Sequence, residues 1–89
     1  MNAVVTVIGK DKTGIIYNIS KILAENNANI LDLSQTVMQD LFTMVMMVDI
    51  SDISCDFQTL KEELDKVGAG LGLSVRIQQE AIFNAMHSI

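Results

Sequence analysis

Along the chain, the spacing of apolar positions alternates between two periods. Residues Asn2 to Ile8, NAVVTVI, form a short β-branched run that stops at Gly9, which predicts a strand. From Thr13 onward, Ile15, Ile16, Ile19, Ile22 and Leu23 recur at helical spacing, while Asn18, Lys21 and Glu25 fall on the other side. Thr13 stands where a helix N-cap is expected, and the asparagines of ENNAN, Glu25 to Asn29, mark the exit. ANILDLSQTVMQ and LFTMVMMVDI then read as two strands joined only through Gln39 and Asp40, a connection short enough to demand an antiparallel hairpin. In the second of these, Phe42, Met44, Met46, Val48 and Ile50 share one face. Leu41, Thr43, Val45, Met47 and Asp49 share the other, and neither face is cleanly polar. The second face of the sheet is therefore expected to be covered, by a partner subunit or by the chain's own tail.

The rest of the chain repeats the alternation. Phe57, Leu60, Leu64 and Val67 have helical spacing, with Ser54 expected as the cap and Gly68 and Gly70 expected to end the helix. In LGLSVRIQQ, the residues Leu71, Leu73, Val75 and Ile77 alternate with small or polar ones, which predicts a fourth strand. In AIFNAMHSI, Ile82, Phe83, Met86 and Ile89 would line one face of a short helix that must dock to be stable. The order β-α-β-β-α-β predicts an α+β ferredoxin-like sandwich, a four-stranded antiparallel sheet with two helices on one face, plus a short C-terminal helix. Each β-α-β half needs a right-handed crossover, expected to bring its two strands side by side in parallel. Residues 1–80 are expected to form one domain and residues 81–89 a tail helix.

Composition narrows the chemistry. Eighty-nine residues, 49% of them hydrophobic, suffice for one aliphatic core and leave no room for a second. Eleven acidic against six basic residues give a net charge of -5, which repels a phosphate backbone and argues against nucleic-acid binding. The lone Cys55 has no intramolecular disulfide partner. No leader-like pattern opens the chain, and no apolar run reaches membrane-spanning length. The expectation is a soluble, cytoplasmic protein.

The first strand-to-helix connection, GKDKTGII, has the G-x-x-x-x-G spacing of a phosphate-cradling loop. Nucleotide hydrolysis would need Lys and then Ser or Thr directly after the second glycine, and Ile15 and Ile16 stand there instead. What remains is a helix N-terminus with free backbone N–H groups and a dipole that favours an anion. Gly14 allows close approach to the main chain, and Asp11 beside it can pair with an ammonium group. Such a pair of features suits an amino acid. The same residues also suit a plain turn with its charges in water.

The segment VTVIGKDKTGIIYNISKILAENNANILDLSQ, with Asp11, Gly14, Ile15, Ile19, Leu23, Asn29 and Ile30 in register, resembles the ACT domain family, over roughly Val4 to Gln79. The resemblance, which extends to small stand-alone bacterial members with a tail like IFNAMHSI, implies a ferredoxin-like module that binds amino acids or other small metabolites. It implies a site built from Asp11, the Gly14 backbone and Asn29, with Ile15 and Ile30 as apolar walls, at an interface between two such domains. Thr13, the sixth residue of the expected site, replaces a proline common in that family, and as a helix cap it would keep the turn.

Other chemistries find little support. His87 is the only histidine, Cys55 the only thiol, and Met44, Met46 and Met47 sit in a strand as core fillers rather than soft-metal ligands. The carboxylates lack metal-loop spacing, so neither a metal nor a cofactor is expected. The expected function is a non-catalytic regulatory module with an amino-acid effector and a homodimeric or larger assembly. The alternative is a ligand-free protein–protein interaction module acting through its sheet and tail.

Overall fold

A computed structural model describes residues 1–82. Its elements follow the order β1 (Asn2–Lys10), α1 (Ile15–Glu25), β2 (Asn29–Met38), β3 (Leu41–Asp49), α2 (Phe57–Leu71) and β4 (Leu73–Gln79). Residues 80–82 continue in helical conformation. Phe83, Met86, His87 and Ile89, from which a tail helix and a histidine function were considered, lie outside the described residues.

The four strands form one antiparallel sheet in the order β2-β3-β1-β4. The two strands of each β-α-β half are thus parallel but not adjacent, which corrects the expectation of side-by-side pairing. β3 lies between β1 and β2, and β1 lies between β3 and β4. The two crossovers interlock, so each half supplies the strand that separates the other half's pair. β2 and β4 are the edges.

The core lies between the inner sheet face and the helices. Ala3, Val5 and Val7 of β1, Phe42, Met44, Met46 and Val48 of β3, and Leu73, Val75 and Ile77 of β4 meet Ile15, Ile19 and Leu23 of α1 and Leu60 and Leu64 of α2. All are buried, and no polar side chain is buried with them among the described residues. Met44 and Met46 are fully enclosed, as core filling requires, whereas Met47 points to the opposite face. That face is only partly covered: Val4 is buried, while Ile8, Val45 and Leu41 are exposed.

The helix boundaries depart from expectation in three places. Thr13 does not cap α1; Gly14 occupies the N-cap in a left-handed conformation (φ 89°) with no side-chain cap. Ser54 does not cap α2; Asp56 does, its carboxylate accepting from the Thr59 backbone N–H at 2.7 Å. Neither Gly68 nor Gly70 ends α2, which continues through both to Leu71 and stops at Gly72 in the left-handed region. β4 accordingly begins at Leu73 rather than Leu71. Gly68 is buried, and a Cβ there would lie 2.6 Å from Val75 Cγ2. The glycine thus serves a close helix–strand approach, not a stop.

The Asp56 cap makes stability acid-sensitive. Hydrogen bonding from Thr59 holds the Asp56 carboxyl below its ordinary value of 3.8. A carboxylate depressed on folding stabilises the protein in full above the unfolded value, and the contribution is lost as pH falls through the folded one. Asp56→Asn retains a capping side chain without a titrating group. The difference in Tm between wild type and Asp56→Asn is expected to be constant above pH 5 and to shrink as pH falls below about 3.8. A difference independent of pH would refute the assignment.

Candidate functional site

The loop between β1 and α1 is positioned from both sides. Lys10 closes β1 opposite Leu41, and the next residue, Asp11, donates its backbone N–H to the Asp40 carbonyl in the β2–β3 turn at 2.8 Å. In that turn Gln39 takes a positive φ of 56°. On the helix side, Asn18 donates to the Gly14 carbonyl twice, from its backbone N–H at 3.0 Å and from Nδ2 at 2.7 Å. These bonds hold Gly14 by its carbonyl while no side chain caps the helix N-terminus. The first-turn N–H groups have no acceptor within the helix, and the macrodipole adds partial positive charge there.

A cavity of about 360 Å³ opens at this end of α1. Asp11, Lys12 and Gly14 come from the loop, Ile15, Ile16 and Tyr17 from the first turn of α1, and Gln35, Val37 and Phe42 from the hairpin. Its volume falls within the range of small-ligand pockets. Ile15 and Phe42 are core residues, whereas Tyr17 and Val37 are largely exposed, so the inner wall is rigid and apolar and the outer wall is open. The arrangement offers backbone donors for a carboxylate, a carboxylate for a cation, and apolar side chains between them.

Four of the six expected site residues, Asp11, Thr13, Gly14 and Ile15, lie at this end of the sheet, although Thr13 is not part of the cavity wall. Asn29 and Ile30 do not join them within one chain. Asn29 pairs with Asp49, which faces Asn2, at the far end of the sheet. The β2 residue near the loop is Val37, which pairs with Phe42 and through it with Gly9. Eight residues of strand separate Asn29 from Val37, roughly 26 Å. Asn29 is exposed, and Ile30 is half-buried against the core.

Lys12, Ile16, Tyr17, Gln35, Val37 and Phe42 were not expected at the site. For Val37 and Phe42 the sequence carries one signal: the short β2–β3 hairpin sets the end of β2 beside the start of β3. Elsewhere, burial first, and then the charges of Glu63 and Asp56, push the Cys55 thiol up from its ordinary value. The cysteine precedes α2 rather than lying in its first turn, so the dipole does not activate it. A groove of about 400 Å³ beside α2 and the β4 edge, lined by Lys61, Asp65 and Arg76, has no uncapped helix end. No group of three metal-ligating side chains occurs among the described residues, and no helix there is long and apolar enough to cross a membrane.

Comparison with known proteins converges on one family. The ACT domain model matches residues 2–78. A UPF0237 protein of Methanocaldococcus jannaschii is 62% identical over 86 residues, covering 97% of this chain and 96% of that protein. The solved structure of an ACT domain protein from Streptococcus pneumoniae superposes with a TM-score of 0.80 at 44% identity and covers 93% of each chain. The regulatory subunit of aspartate kinase from Thermus thermophilus, in its ligand-free form, shares the fold at 24% identity and a TM-score of 0.67. This chain covers 50% of that subunit, and 86% of this chain is covered.

Proposed function

The chain belongs to the ACT domain family, and on that premise we propose that it is a non-catalytic regulatory module whose effector is an amino acid. The observation that carries the reading is the cavity in which an uncapped helix N-terminus and the Asp11 carboxylate sit together over an apolar wall. The effector's carboxylate would take the free N–H groups of Ile15 and Ile16, and its ammonium group would pair with Asp11. Val37, Phe42 and Tyr17 would contact its side chain. Regulation fits the likeness to the aspartate kinase regulatory subunit. Acting in the cytoplasm, the module would signal through a protein partner.

Asn29 and Ile30 enter this reading through a second copy. β2 is an open edge. Two β2 edges paired antiparallel about the strand midpoint would set the start of one against the end of the other. The partner's Asn29 and Ile30 would then border the open side of the cavity, with Thr13 at its rim. A ligand-free interaction module is the competing reading, favoured by the exposed Met38, Leu41 and Tyr17 at the same end of the molecule.

A thermal-shift screen against the standard amino acids separates the two. A ligand at a hundred times its dissociation constant adds about 2.7 kcal/mol, which for a domain of this size raises Tm by about ten degrees or more. The shift is expected for a narrow set of amino acids and is expected to vanish in Asp11→Asn and in Asn29→Ala. No shift with any amino acid would favour the interaction module.

A further inference from the structure

The groove of about 400 Å³ beside α2 differs from the α1 cavity in the nature of its walls, and the two share no residue. Residues 73–78, six in succession, line it. Side chains of a strand alternate between two faces, so an unbroken run of lining residues marks the edge of β4 as one wall. β4 pairs with β1 on its other side, residue for residue from Leu73 opposite Gly9 to Gln79 opposite Ala3. The second wall is α2, where Lys61, Asp65 and Ala69 recur at four-residue spacing on one exposed stripe. Gly68, whose lack of a side chain admits Val75, seats the helix close over the strand. An edge strand overhung by a helix leaves a slot for one more strand, and the edge supplies backbone groups to pair with it.

The two edges of the sheet are not equivalent. β2 is interrupted by the bulge at Ile30 and Asp32, a device that blunts an edge, whereas β4 has neither a register shift nor a proline. The only charge in β4 is Arg76, at the middle of the strand. Its guanidinium forms no ion pair among the described residues, and its neighbour across on β1 is the uncharged Thr6. Two β4 edges paired antiparallel about that midpoint would set Arg76 against Arg76, which disfavours a second copy as the occupant. Lys61 adds a positive charge against the single carboxylate of Asp65, so the groove is net positive in a chain of net charge -5.

We propose that the groove between α2 and the β4 edge takes an acidic, extended segment of a different protein as a fifth strand of the sheet. Backbone hydrogen bonds along β4 hold the guest, and a Glu or Asp side chain on its outer face pairs with Arg76. Its alternate side chains turn toward Ala69 and the aliphatic stem of Lys61. In strand addition the main chain supplies affinity and the alternate side chains supply specificity. The α2 stripe from Lys61 to Ala69 spans about 12 Å and residues 73–78 about 17 Å, room for about five guest residues. Charge complementarity thus selects the occupant, and the inference stands apart from the identity of any effector at α1.

Amide chemical-shift titration of the labelled full chain with a short capped peptide that alternates valine and glutamate tests this. Amides of residues 73–78 and of the Lys61, Asp65 and Ala69 stripe are expected to move saturably, while those of Ile15 and Ile16 stay. Replacing glutamate by lysine in the peptide is expected to weaken binding about fivefold, and Arg76→Glu is expected to reverse that preference. N-methylation of either the valines or the glutamates is expected to abolish binding in one case only, because one set of N–H groups faces β4 and the other faces away. An acidic peptide that fails to bind at millimolar concentration overturns the proposal. So does equal tolerance of both methylated peptides, or a preference that Arg76→Glu leaves unmoved. β4 amides that move with protein concentration alone would assign the edge to a second copy, and movement on substitution within residues 83–89 would assign it to the chain's own end; either result overturns the proposal as well.

Discussion

Leu64→Ala is expected to lower the free energy of unfolding by about 3 kcal/mol. Leu64 has no exposed surface and lies one turn after Leu60 and one before Gly68, on the stripe of α2 that faces the sheet. The substitution removes the methyl-bearing end of a side chain from a core with no buried polar group to rearrange around it. It leaves a void whose walls, set by two helices and a sheet, collapse only partly. For a domain of this length the loss corresponds to a fall in Tm of about 15 degrees. Asp65→Ala, one residue along on the exposed side, should change Tm little. Urea unfolding of the three proteins checks this, and a loss below about 1 kcal/mol for Leu64→Ala would mean that α2 is not seated as described.

Gly68→Val is expected to cost about 3 kcal/mol as well, by the opposite mechanism. A Cβ at this position meets Val75 Cγ2 at 2.6 Å, Leu73 O at 3.0 Å and Val75 Cβ at 3.2 Å. The Val75 methyl can turn aside, but the Leu73 carbonyl belongs to β4, so α2 would have to lift off the sheet. Two further methyl groups make this worse. Replacing glycine within a helix otherwise stabilises by about 0.5–1 kcal/mol, and Gly70, with nothing within 4 Å of its Cβ position, supplies that control. Gly68→Val and Gly70→Ala should therefore shift the urea midpoint in opposite directions. Equal stabilisation by both would mean that α2 and β4 are further apart than the structure has them.

Much of the fold was legible because its elements obey simple periods. The alternation of β3 set Phe42, Met44, Met46, Val48 and Ile50 on one face, and each is buried. The two-residue connection at Gln39 and Asp40 dictated a hairpin that the structure contains. What misled were residues with two physical uses. Gly68 and Gly70 looked like stop signals, but the conformation that ends α2 belongs to Gly72, while Gly68 is there for contact. Thr13 and Ser54 looked like caps because hydroxyls often are, whereas the left-handed Gly14 and the acidic Asp56 take those positions. The strand order was harder to read, because local periodicity does not encode which strand inserts between which.

The candidate site was legible at one end only. The loop residues Asp11, Gly14 and Ile15 converge because they are neighbours in sequence around a helix start. Asn29 and Ile30 came to the site through family resemblance, and within one chain the register sets them at the other end of β2. Gln35 and Val37 went unnoticed since the bulge at Leu31 shifts the alternation of β2, so a strict two-residue period assigns its later residues to the wrong face.

The central claim is that an amino acid is held at the N-terminus of α1, and amide chemical-shift mapping of the isotope-labelled protein during titration tests it most directly. The account predicts that at least one amino acid moves the amide resonances of Ile15, Ile16 and Tyr17 saturably, and those of Asn29 and Ile30 in the assembled protein. If no amino acid moves them, or if one binds and moves only residues of the α2–β4 groove such as Lys61 and Arg76, the account is wrong.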